Sequence, residues 1–236
     1  ENMGKNFDFS NLIKSKSLTN QPQVDRLNEY VFATTKLLES EEANIIFPWS
    51  ASSQLSLPRF TLPLPGKAAI VGNMDFLKGI SIASGMDFYK RGNGNWDTDY
   101  ISKGKKVIEL LESDYSFIYC HVNGPDEASH MGDLDKKIYS LERADNDIIL
   151  PIYEYFKSNS KSLGGIMITT DHFTNLHAVN LHRIEAHSKD LVPFSIYNGI
   201  SKDKMLLFSE DDSINGKYGV KNINHLDLLD VLWGQS

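Results

Sequence analysis

The chain has 236 residues, 41% of them hydrophobic, enough for one globular core or for one domain plus part of another. Its net charge is −7, and no Lys/Arg run interleaves with aromatics, which argues against a nucleic-acid surface; an anionic substrate would need local positive charge from a metal or a few Lys/Arg. No apolar run of about 18 residues or signal-peptide pattern is visible, so no membrane contact is expected. The single cysteine, Cys120, permits no internal disulfide and fits a reducing compartment, the cytoplasm.

Residues 1–22 are polar and unpatterned and read as a tail or linker. Val24, Leu27, Val31 and Leu38 recur at helical spacing and predict a helix over 21–40. The apolar run 44–49 predicts a short strand, and the proline- and serine-rich stretch 50–66 predicts a loop or crossing. An alternation of strands and helices then begins. Strands are expected at 67–71, 115–122, 165–170 and 191–198. Helices are expected at 74–84, with Gly85 as its stop, at 100–111, at 134–157 with a kink at Pro151, and at 225–232. Apolar strands separated by helices imply an α/β fold with helices packed on a largely parallel sheet.

The chemistry-bearing residues fall in three clusters. Asp126 and His130 follow the strand at 115–122, Asp171 and His172 follow the strand at 165–170, and His187 lies in the loop before the strand at 191. Such sheets gather functional groups at the carboxyl ends of their strands. Mixed carboxylate and imidazole donors suit Mn, Zn, Co or Fe, whereas His is unusual for Mg or Ca. Taken singly, each histidine is more often a surface imidazole or a hydrogen-bonded core group. Taken jointly, at strand ends, the metal reading is favoured. His121, His177, His182 and His225 stay with the structural reading, His177 and His182 as second-tier candidates. Cys120, inside FIYCHV, reads as a small core residue. Asp99, Lys103 and Arg59 read as solvated charges.

PDEASH, ITTDH and EAHSKDLVPF, in that order, resemble the archaeal-type cofactor-independent phosphoglycerate mutases of the alkaline phosphatase superfamily. FLKGISIASGM and WDTDYISKGKKVIELL are similar to further segments of that family, so the resemblance runs from about Asn44 to the C-terminus. It implies an alkaline-phosphatase-like three-layer α/β sandwich with a mostly parallel sheet. Residues 1–50 would be the tail of an inserted cap domain and a linker, and 51–236 the metal-binding domain, incomplete at its N-terminal side. Asp126, His130 and His187 would hold one divalent ion, and Asp171 and His172 a second. Manganese is the expected metal, with zinc or cobalt as alternatives, and no bisphosphoglycerate is required. Lys78, in FLKGIS, becomes a candidate for binding the substrate phosphate, weighed evenly against a solvated helix lysine.

The reaction so implied interconverts 3-phosphoglycerate and 2-phosphoglycerate, a glycolytic step, through a phosphoserine. The sequence departs from the family in one decisive way. The N-terminal metal-binding Asp and the nucleophilic Ser have no counterpart, since Ser50, Ser52 and Ser53 match a non-nucleophilic loop. A C-terminal fragment, inactive alone, is therefore expected. The alternatives are a metal-dependent phosphohydrolase or another phosphomutase of the superfamily, and a non-catalytic metal-binding remnant.

Overall fold

The computed structural model describes residues 21–46, 56–63, 65–159, 164–176, 187–188, 190–198, 207–216, 218–219, 229–230 and 232. The chain divides into two compact units, Glu1–Ser56 and Leu57–Ser236. In the first, helix α1 spans Gln21–Leu37 with Val31 buried, close to the expected 21–40. Residues 44–46 carry no regular structure, and the rest of the strand expected there lies outside the described residues.

The second unit is built around β1 (Lys67–Gly72), flanked on both sides by parallel neighbours, β2 (Asp87–Lys90) and β3 (Tyr115–Cys120), in the order β2-β1-β3. A strand flanked on both edges and covered on both faces needs apolar side chains where it is enclosed, and Ala69, Ile70 and Val71 are all buried, while Lys67 at its exposed start is not. Helix α2 (Asp75–Ser84) joins β1 to β2, and α3 (Tyr100–Leu111) carries the chain back past β1 to β3. Because the direction reverses, right-handed crossovers put these two helices on opposite faces of the sheet, giving three layers. Gly85 ends α2 with φ 76°, a left-handed conformation that suits glycine, and the Asp99 carboxylate caps α3 by accepting from the Ser102 N–H at 2.9 Å.

The short DFYK strand, β2, has no period-2 apolar pattern and was not expected. The long helix expected over 134–157 is three pieces: α5 (Leu134–Ala144), a π-helical turn (Asp145–Ile149) and α6 (Leu150–Ser158). Pro151 explains the break. It has no N–H to give the Asp147 carbonyl four residues back, and its ring crowds that carbonyl. The Asp147 carbonyl instead sits against Gly104 of α3, so closely that a β-carbon there would collide with it. Ile148 and Ile152, beside this contact, join Ala69, Val71, Tyr100, Val107 and Leu110 in the core.

Beyond α6, β4 (Ile166–Thr169) pairs with β7 (Phe194–Tyr197) antiparallel, and β5 (Phe173–Thr174) pairs with β6 (His187–Ser188) antiparallel. The fold is thus α/β with a parallel three-stranded sheet and two antiparallel ladders among the described residues. Helix α7 spans Glu210–Asn215. Residues 229, 230 and 232 are helical, while His225 and the start of the helix expected there lie outside the described residues. No described helix is long and apolar enough to cross a membrane.

Candidate metal centre

β1 and β3 are parallel neighbours, so their carboxyl ends, where such sheets gather functional groups, lie at one edge of the sheet. The segment after β3 folds as a short helix, α4 (Gly124–His130). Pro125 starts it at a position where no backbone N–H is needed, and the Ser129 hydroxyl donates back to the Pro125 carbonyl at 2.7 Å. Helical geometry then stacks Asp126 and His130, four residues apart, on one face. His130 Nε2 lies 3.4 Å from Asp126 Oδ2.

His187 arrives by a different route. The β5–β6 ladder pairs Thr174 with His187, which brings His187 Nε2 to 3.5 Å from Asp126 Oδ1 and 3.0 Å from His130 Nε2. The donor atoms of these three residues all lie within 4.8 Å of one another. Donors around a tetrahedral ion at about 2.1 Å are roughly 3.4 Å apart. Around an octahedral ion the adjacent donors are roughly 3.0 Å apart. The His130–His187 edge matches the octahedral value, and each histidine approaches a different Asp126 oxygen, so the donor types and their clustering suit a first-row divalent ion.

Asp171 and His172 follow β4 and sit beside this group. The His172 ring stacks on the His187 ring at 3.8 Å between centroids, and His172 Nε2 is 3.4 Å from Asp171 Oδ2. Asp171 is exposed, and its Oδ1 accepts from the His172 backbone N–H at 3.0 Å. These two donors form only half of an ordinary coordination shell. Lys78 is exposed on the second turn of α2, and among the described residues no hydrogen bond or ion pair joins it to the group. Ser50, Ser52, Ser53, His177 and His182 lie outside the described residues.

Three groups that the sequence reading set aside or passed over stand at this edge of the sheet. Lys103, read as a solvated charge, is fully buried; its Nζ donates to the His121 carbonyl at 2.9 Å, and burial draws its pKa down. His121 sits at the end of β3, with Nδ1 buried and no partner for it among the described residues. Burial first, and Lys103 next, lower its pKa. Lys137 of α5 donates to the Thr174 carbonyl at 3.3 Å; burial lowers its pKa against the opposing pull of Asp126. Lys103 left a trace in the sequence, since it shares the apolar face of α3 with Tyr100, Val107 and Leu110. His121 and Lys137 left none beyond their position near the motif.

Residues 90–223 match the family model of the metalloenzyme superfamily. The chain belongs to the metalloenzyme superfamily. That stretch contains every donor described above. Among relatives, the 2,3-bisphosphoglycerate-independent phosphoglycerate mutase of Methanosarcina mazei is 34% identical over 197 residues, covering 80% of this chain and 46% of its own. The enzyme of the same name from Sulfurisphaera tokodaii is 29% identical over 238 residues, covering 92% of this chain and 55% of its own. A solved structure of a Pyrococcus horikoshii protein superposes with TM-score 0.60 at 29% identity, covering 74% of this chain and 52% of that one. This superfamily member therefore spans about half the length of the curated relatives it matches.

Proposed function

We propose that this chain is the larger part of the metal-binding domain of a phosphomutase that interconverts 3-phosphoglycerate and 2-phosphoglycerate through a phosphoserine. The observation that carries the reading is the convergence of Asp126, His130 and His187, with Asp171 and His172 stacked against them. The names of the relatives supply the substrate. In this reading Asp126, His130 and His187 hold one divalent ion, manganese by preference, and Asp171 and His172 supply part of the shell of a second.

Such ions, when bound, lower the pKa of a serine hydroxyl and offset charge on a transferring phosphoryl group. The residues of this chain hold geometry. Helix α4 fixes Asp126 and His130 one turn apart, and the β5–β6 ladder delivers His187 to the same point. Two members of the site come from elsewhere: the Asp that completes the second shell and the serine that accepts the phosphoryl group. Residues 1–50 would be the tail of an inserted cap domain and a linker. Lys78, exposed on α2, would be the residue of this chain that binds substrate phosphate. The reaction places the parent protein in glycolysis and in the cytoplasm, and the chain alone is inactive.

Metal analysis of the purified chain tests the ligands. The unaltered chain should bind manganese, and Asp126→Ala/His130→Ala should lose one ion. The same stoichiometry in both proteins would remove the assignment. For the reaction, the protein extended by the N-terminal half that its relatives carry should convert 3-phosphoglycerate to 2-phosphoglycerate without added bisphosphoglycerate. Phosphate release in place of isomerisation would mark a phosphohydrolase instead.

A further inference from the structure

Thr174, given no role so far, touches two members of the donor set through its side chain. Its side chain is buried, at 7% exposure. Its hydroxyl donates to Asp126 Oδ1 at 2.6 Å and lies 3.0 Å from His172 Nδ1. Across the β5–β6 ladder it is the register partner of His187, and side chains opposite one another in a ladder share a face. Its own carbonyl is held by Lys137 at 3.3 Å. One side chain therefore spans a donor of the three-residue group and a donor of the neighbouring pair.

A threonine hydroxyl has one proton and two lone pairs. The proton is committed to the Asp126 carboxylate, because a bond to a charged acceptor is about twice as strong as a neutral one. Toward His172 the hydroxyl can then only accept. His172 Nδ1 must carry a hydrogen, and the neutral ring is left with its lone pair on Nε2, the nitrogen nearest Asp171. We propose that Thr174 is a positioning residue: it fixes His172 as the Nδ1–H tautomer and holds Asp126 Oδ1, so that the Asp126 and His172 donors are presented to the two metal positions together. The inference rests on the ligand reading above for its consequence, but the tautomer itself is a property of the metal-free protein.

The test begins with ¹⁵N-detected imidazole NMR on the metal-free full chain at about pH 8.5, above the ordinary imidazole range. His172 should show a protonated Nδ1 and an unprotonated Nε2. An Nε2–H ring in the unaltered protein overturns the proposal with no variant needed. Thr174→Val keeps the shape and removes the hydroxyl, and should release the ring to a mixture of tautomers; Thr174→Ser should restore the single form. Manganese titration calorimetry should show affinity reduced about 10–100-fold in the valine variant. The serine variant should bind as the unaltered protein does. A valine variant that keeps the Nδ1–H ring and full affinity refutes the role. If the unaltered chain binds no manganese, the ligand reading fails while the NMR result still decides the tautomer.

Discussion

Replacing Lys103 by Met separates burial from charge beneath the site. Lys103 is wholly enclosed, and its ammonium has a hydrogen bond to the His121 carbonyl at 2.9 Å. Methionine is unbranched and adaptable enough to follow the same path without a charge. Two effects oppose each other. The variant loses a charge-assisted hydrogen bond worth about 1.5–3 kcal/mol. It also escapes the desolvation of an ammonium, which costs several kcal/mol even after the surroundings relax. The net change at neutral pH should fall between zero and about 2 kcal/mol of stabilisation. The dependence on pH is the sharper signature. Burial holds the folded-state pKa of Lys103 below its ordinary 10.5. A depressed pKa means that the stability linked to this group is fully present above 10.5 and is lost as pH falls through the folded-state value. The advantage of the Met variant should therefore shrink steadily as pH rises toward 10.5. Urea unfolding of both proteins at several pH values between about 7 and 10 measures it. A difference that stays constant over that range, or a loss of more than about 3 kcal/mol at neutral pH, would refute the argument that desolvation dominates at Lys103.

Gly104→Ala should destabilise the protein by about 1–3 kcal/mol, because the new methyl meets the backbone carbonyl of Asp147, which cannot rotate away. Helix propensity alone predicts the opposite sign, by about 1 kcal/mol, so a raised melting temperature would sink the close-contact explanation. Burial pushes the Cys120 thiol up to about 11. At pH near 8 its alkylation should be about 100-fold slower than in urea-unfolded protein, and equal rates would count against that burial.

The sequence was most readable where one periodicity was strong. Helix α3 falls at Tyr100–Leu111, as the spacing of its apolar residues predicts, and β1 and β3 lie within two residues of the expected apolar runs. The readings that changed were those decided by tertiary contact. α4 is only seven residues long and opens with Gly-Pro, so its composition reads as a loop, although Pro at a first turn is also a helix start. The strand at 194–197 had the right composition, but nothing in a single strand reveals that its partner β4 runs antiparallel. Lys103 was misread because lysines are rarely enclosed, and that general tendency outweighed its place on the apolar face of α3. For the site, the residue types and their order pointed to the donors. Nothing in the spacing of 57 residues between His130 and His187 showed that two two-residue strands would bring their Nε2 atoms to 3.0 Å.

The charge of the chain bears on the proposed reaction in a way that follows from this placement. A protein with a net charge of −7 repels phosphorylated substrates at long range. The described edge of the sheet holds two carboxylates, Asp126 and Asp171, among the imidazoles of His130, His172 and His187. Imidazole donors take up coordination positions without adding negative charge. Two divalent ions set against Asp126, Asp171 and the further Asp of the proposed site would leave a local net charge of about +1 before the serine is counted. Replacing His187 with a carboxylate would keep a donor at that position but lower this charge, so donor number and local charge are separable properties. The mixture of two Asp and three His is thus better suited to an anionic substrate than an all-carboxylate shell would be. The buried Lys103 and the half-buried Lys137, bonded to the His121 and Thr174 backbone carbonyls at the same edge of the sheet, add to that field without competing for the donors.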